Sequence, residues 1–132
     1  MSEANVEVIR RVLSEWACGN FWTGEFFDPD VHVRWMNPIF VHRSETHGRD
    51  ELGQALLEFF DAWERVTAHA ERILSAGDKV ISVETWRARG KASGVDTEVR
   101  HSSIWDVVDG KITYFANYGD PDAALKAAGF SE

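Results

Sequence analysis

The sequence predicts an α+β fold on three observations: two amphipathic helical stretches precede residue 65, long alternating stretches follow it, and turn signals separate those at hairpin spacing. The N-terminal helices would pack on one face of an antiparallel sheet, and a short helix would close the chain.

Each element has its own signal. SEANVEVIRRVLSEWACGN sets Val8, Ile9, Val12, Leu13 and Trp16 at helical spacing, with Gly19 where a helix would stop. FWTGEFFDPD gathers Phe21, Trp22, Phe26 and Phe27 into a short helix or turn that Asp28 and Pro29 end. In VHVRWMNP, Val31, Val33 and Trp35 alternate with His32, Arg34 and Met36, a short strand broken at Pro38. IFVHRSETH reads as loop. From Gly48, GRDELGQALLEFFDAWERV aligns Leu52, Ala55, Leu56, Phe59, Phe60 and Trp63 on one stripe, the strongest helix signal in the chain. Beyond residue 65 the signals AGD, GKASG and VDG divide the sequence into four antiparallel strands joined by hairpins. Asp120 and Pro121 then supply an N-cap and first position for PDAALKAAG, which Gly129 ends.

Composition narrows the function. A chain of 132 residues carries one domain, 1–132, with a real core. Six Trp and eight Phe demand burial. A net charge of −8 opposes a phosphate-binding surface and excludes nucleic acid as the expected partner. No apolar run approaches membrane-spanning length. Cys18 is the only cysteine, so no internal disulfide forms, and with no leader-like N-terminus a reducing cytoplasm is the expected setting. In HRSETH, His42, Glu45 and His47 look superficially like metal ligands but lack helical i, i+4 geometry, so an ordinary polar loop and no metal are expected.

ITYFANYGD poses the central question. Alternation puts Thr113, Phe115 and Asn117 on one face and Ile112, Tyr114, Ala116 and Tyr118 on the other. Neither face looks solvated, so the Asn117 amide needs buried polar partners or a cavity.

NVEVIRRVLSEWACGNF, DPDVHVRWMNP, the GRDEL helix start, SAGDKVISVETWRARGKASG and the closing IWDVVDGKITYFANYGDPDAALKAAGF cover almost the whole chain. In that order they resemble the SnoaL-like domains of the nuclear transport factor 2-like superfamily. The resemblance implies a cone-like α+β barrel: N-terminal helices on a strongly curved, mostly antiparallel sheet, an internal pocket, and a homodimer. Members include polyketide cyclases, ketosteroid isomerases, epoxide hydrolases and dehydratases, together with domains that only bind or dimerise, and fold does not choose among them.

Carried over by position, the resemblance places Asn37 where the isomerases keep their proton-abstracting aspartate and where limonene epoxide hydrolases keep an asparagine. Ser103 takes the place of the isomerases' protonated aspartate, and Val12 lies near their catalytic tyrosine, so that constellation is absent. Asn117 stands for one epoxide hydrolase aspartate, Glu84 and Trp86 for the arginine and second aspartate, and Trp35 for the tyrosine. Only Asn37 matches outright, and an amide cannot be a general base.

Strand parity and the resemblance together bring Glu84 with Trp86, His101 with Ser103 and Trp105, and Phe115 with Asn117 into one pocket. His101 and Glu84 are then the acid/base pair, Asn37 and Asn117 orient a water or carbonyl, and Ser103 donates to an oxyanion. Trp16, Trp35, Phe59, Trp63, Trp86, Trp105 and Phe115 form the walls. A parity error of one residue would instead send Glu84 to the surface beside Arg87 or Arg100. The implied function is a small cofactor-free enzyme doing acid/base chemistry on an apolar small molecule; the alternative is a binding or dimerisation domain.

Overall fold

A computed structural model describes residues 2–37 and 44–129. Helix α1 (Ser2–Ala17) leads through a single 3₁₀ turn (Gly24–Phe26) into strand β1 (Phe27–Met36) and the short β2 (Glu45–His47). Helix α2 (Gly48–Phe60), strands β3 (Trp63–Ala76), β4 (Lys79–Gly90), β5 (Asp96–Val108) and β6 (Lys111–Tyr118), and helix α3 (Ala123–Ala127) follow. The strands form one sheet in the order β2-β1-β6-β5-β4-β3, parallel at β1/β6 and antiparallel elsewhere. Among the described residues β2 and β3 remain its two edges, so the expected cone is an open sheet, not a closed barrel.

Helix α1 buries Ile9, Val12, Leu13 and Trp16, the stripe its i, i+3, i+4, i+7 spacing dictates, and packs chiefly on β3. Helix α2 buries Leu52, Ala55 and Phe59, packing chiefly on β1. Their apolar faces join the concave side of the sheet, including Val33, Val80, Trp105 and Phe115, in the main core. A smaller cluster of Ile81, Ile104, Ala124 and Leu125 seats α3 on the sheet's opposite face.

Five boundaries differ from the sequence expectation, each for a local reason. Trp63 has the right spacing for the α2 stripe, yet the helix ends at Phe60 and Trp63 opens β3 opposite Gly90, where sheet pairing outweighs helical periodicity. Strand β1 begins at Phe27, before Pro29, because the β1/β6 register shifts between Phe27 and His32 and the proline needs no ladder hydrogen bond there. The end of the expected loop is β2, in which Thr46 pairs with Val33 and is wholly buried. In β6 the register slips between Ile112 and Tyr114, leaving Thr113 as a bulge and moving Ile112 into the main core with Phe115. Helix α3 starts later than expected: its N-cap is Asp122, Asp120 Oδ1 accepts the Asp122 N–H at 2.7 Å, and Ser102 Oγ accepts the Ala124 N–H at 3.0 Å. The VDG signal does form a two-residue turn, with Asp109 at φ 52° and Gly110 at φ 80°, the left-handed pair that a primed hairpin turn requires.

Candidate functional site

Register assembles the polar residues. Glu84 lies directly opposite His101, Ser82 opposite Ser103, Ser103 opposite Asn117, and Asn117 opposite Trp35, so four strands contribute to one patch of the concave face. Asn37 follows at the end of β1. Glu84, His101, Ser82, Ser103 and Asn117 have no solvent exposure and Asn37 almost none. Surface pairing of Glu84 with Arg87 or Arg100 does not occur, since Arg87 bonds Glu98 and Arg100 holds Glu71.

The side chains form a directed network. Asn37 Nδ2 donates to Asn117 Oδ1 at 3.0 Å, and Asn117 Nδ2 donates to Ser103 Oγ at 3.0 Å. Asn37 Nδ2 also lies 2.8 Å from His101 Nδ1; an amide nitrogen only donates, so the neutral imidazole carries its proton on Nε2. From the other side Trp105 Nε1 donates to Ser82 Oγ at 2.8 Å, Ser82 donates to Glu84 Oε2, and Trp86 Nε1 donates to Glu84 Oε1 at 3.3 Å. The Glu84 carboxylate is the sink for these donors. His101 Nε2 lies 3.2 Å from Glu84 Oε1 but out of line for a hydrogen bond, leaving a buried donor without one among the described residues.

Burial sets the protonation of the pair. It raises the Glu84 carboxyl to about 7, against the opposing hydrogen bonds from Ser82 and Ser103. It lowers the His101 imidazole to about 3, with the Asn117 amide pulling the other way. At neutral pH His101 is therefore uncharged while Glu84 exchanges its proton, the condition a general base needs.

Beside this network lies a cavity of about 190 Å³. Its walls include Trp16, Phe21, Trp22, Phe27, Trp35, Trp86 and Phe115, with Arg49, Leu52, Gly53 and Leu56 from α2 and Thr23 and Gly24 from the 3₁₀ turn. Thr23 Oγ1 is already engaged by Trp16 Nε1 at 3.2 Å, and Arg49 Nε donates to the Phe27 carbonyl at 2.9 Å, which fixes the base of the guanidinium. Trp86 belongs to both layers: it lines the cavity, donates to Glu84 and meets His101 edge to face at 4.6 Å.

Of the residues the sequence singles out, Trp16, Trp35, Trp86 and Phe115 line the cavity. Glu84, His101, Asn37, Asn117 and Ser103 are brought together behind it, and Trp105 stacks on Phe115 at 4.2 Å beneath it. Phe59 packs edge-on against Trp86 outside the lining, and Trp63 stands against Phe59. Sequence reasoning did not single out Arg49, Gly53 or Leu56 as lining residues, although 49, 52, 53 and 56 share one helical face beside the buried stripe of α2. His42 lies outside the described residues.

The family model for the SnoaL-like domain matches residues 9–115. The chain belongs to the SnoaL-like domain family. Solved structures similar to this SnoaL-like chain agree on the fold. TerC, co-crystallized with polyporic acid, is 15% identical, with 95% of this chain and 98% of that one covered and a TM-score of 0.75. An NTF2-like protein of unknown function from Burkholderia pseudomallei is 13% identical over 96% and 98% of the two chains, with a TM-score of 0.78. A ketosteroid isomerase-like fold from Catenulispora acidiphila, in complex with trimethylamine, is 16% identical over 95% and 94%, with a TM-score of 0.72. At these identities the likeness establishes architecture alone. No curated protein matches the sequence.

Proposed function

We propose that this SnoaL-like domain is a cofactor-free enzyme that admits a small, largely apolar, oxygen-bearing molecule to the cavity and moves a proton on it. The reaction class is isomerisation, cyclisation, dehydration or hydrolysis. One observation carries the proposal: a fully buried carboxylate and imidazole 3.2 Å apart, directly behind a cavity wall. Such a pair contributes little to stability that well-packed apolar side chains would not supply, so its presence beside a cavity points to chemistry.

In this reading Glu84 accepts the proton and returns it, a role its pKa near 7 suits. His101 Nε2–H, which makes no hydrogen bond among the described residues, serves as donor to an oxygen that gains charge. Asn37, Asn117 and Ser103 hold the imidazole and carboxylate in place. Rotation of the Trp86 indole opens Glu84 to the cavity. Arg49, the only ionised lining residue among the described residues, orients a carbonyl or carboxylate at the opposite wall. The volume limits the substrate to one or two rings, since a cavity of about 150 Å³ admits benzene. TerC, a fold of this kind, was co-crystallized with polyporic acid, an oxygen-bearing aromatic compound larger than this cavity would hold. The homodimer and the cytoplasmic setting expected from the sequence belong to the same proposal.

A second reading, a binding module without turnover, is favoured by one fact: neither Glu84 nor His101 lines the cavity. Proton exchange separates the two. Wild type should exchange the enolisable protons of 2-tetralone with deuterium oxide faster than buffer. Glu84→Gln should lose at least a hundredfold of that rate, within the usual range for a general base, while still quenching its tryptophan fluorescence on binding. Binding by wild type with no exchange above buffer selects the module. Arg49→Met should abolish the preference for 2-naphthoate over naphthalene, a loss of roughly tenfold in affinity.

A further inference from the structure

Away from the cavity, the β1/β2 pair gathers a second cluster. Glu45 and His47 are two residues apart on β2 and so share a face, and the register sets His32 directly across from His47. The opposite face of β2 is spent on the core through buried Thr46, which leaves these three turned outward. The His32 and His47 rings stack with centroids 4.5 Å apart and planes 5° apart. Both present Nε2 to one oxygen: His32 Nε2 is hydrogen-bonded to Glu45 Oε2, and His47 Nε2 is 3.8 Å from it. The three potential ligand atoms all lie within 4.8 Å of one another.

We propose that His32, Glu45 and His47 form a binding site for one divalent transition-metal ion of the Zn²⁺, Ni²⁺ or Cu²⁺ class. Two imidazole nitrogens and one carboxylate oxygen suit these borderline cations, whereas Ca²⁺ and Mg²⁺ prefer all-oxygen sites. Bonds of roughly 2 Å place neighbouring ligands of a tetrahedral ion a little over 3 Å apart, so small rotamer changes close this cluster on a metal. The frame is already fixed. Both imidazoles sit on paired strands, the His47 N–H is held by Glu51 Oε1 at 2.9 Å, and the Tyr114 ring stands edge-on against His32 at 5.4 Å. Three protein ligands leave a coordination position for water. His32 takes the place that the HRSETH motif suggested for His42, and the neighbour that matters comes from another strand.

The test is equilibrium dialysis and calorimetry of the full, untagged chain with Zn²⁺ alone. Wild type should take up one Zn²⁺ per chain in the micromolar range or tighter, and the ion should raise the unfolding temperature. His32→Gln and His47→Gln should each weaken binding at least tenfold, with Glu45→Gln weaker too, while metal-free unfolding stays at wild type because all three side chains are partly exposed. In nitrogen-15 spectra the His32 and His47 ring signals should move on Zn²⁺ addition, and those of His69 and His101 should not. Absence of uptake at 100-fold excess over chain overturns the site. So does binding that survives both histidine substitutions.

Discussion

Behind Trp86 the protein buries six polar side chains, Asn37, Ser82, Glu84, His101, Ser103 and Asn117, whereas in front of it the cavity wall is mostly aromatic and aliphatic. The first layer has chemistry without access, and the second has access with little chemistry. Both rest on the same strands in one register, and the Trp86 indole, which lines the cavity and donates to Glu84, belongs to both. That arrangement teaches that the network is expensive and directional: its donors converge on one carboxylate, and a carboxylate in such surroundings tolerates loss of a partner badly.

Breaking that layer produces the largest effect. Glu84→Ala strands the Ser82 hydroxyl and the Trp86 N–H at once, each a buried donor worth roughly 1–3 kcal/mol when left unpaired, and about 2–5 kcal/mol of stability should go with them. Urea unfolding at pH 7 measures it. The double substitution Glu84→Leu with His101→Leu should cost less than the sum of the two single changes, because the buried polar groups of the pair are removed together. Additive losses would mean that the pair is not energetically coupled.

The second effect is a pH profile whose signs oppose each other. Glu84 titrates at about 7 when folded, against 4.5 ordinarily, so the folded chain holds the extra proton between those values. Its contribution is therefore full below about 4.5 and is lost as pH rises to about 7. His101 titrates at about 3 when folded, against 6.5, so there the unfolded chain holds the extra proton. That contribution is present above 6.5 and lost as pH falls toward 3. Between pH 4.5 and 6.5 the two slopes cancel, and this pair gives wild type no pH dependence in that window. Glu84→Gln removes one of them. Relative to wild type, its stability should rise across that window with a slope approaching one proton per pH unit, and parallel profiles would count against the assignment.

Much of the fold was legible because burial obeys period. The α1 stripe and the hairpin turns follow from spacing, and spacing together with the family resemblance turns Glu84, His101 and Asn117 inward. What was hidden depended on partners distant in sequence. Trp63 matches a helical stripe and pairs as a strand only because Gly90 waits opposite, and Thr46 reads as loop until Val33 is placed beside it. Ile112 changes face through a bulge at Thr113 that no alternation rule signals. Residue identities suggested the polar set, but no pattern of residues could say that Trp86 would stand between it and the cavity.

The smallest effect sharpens the comparison from the cavity side. Gly53 sits inside α2, lines the cavity, and has no atom within 4 Å of where a Cβ would be. A glycine in a helix interior costs roughly 0.5–1 kcal/mol relative to alanine, so Gly53→Ala should stabilise the protein by about that amount. Gly53→Leu should keep the fold within about 1 kcal/mol of wild type, since the helix gains propensity while the cavity supplies the room. Its side chain then occupies space that a ligand needs, and 2-tetralone binding should disappear. The Glu84 network lies behind Trp86 and should be left as it was, with an unchanged pH profile of stability. If Gly53→Leu instead retained both binding and exchange, the ligand would be entering by another route, and the division between a reactive floor and an apolar chamber would have to be redrawn.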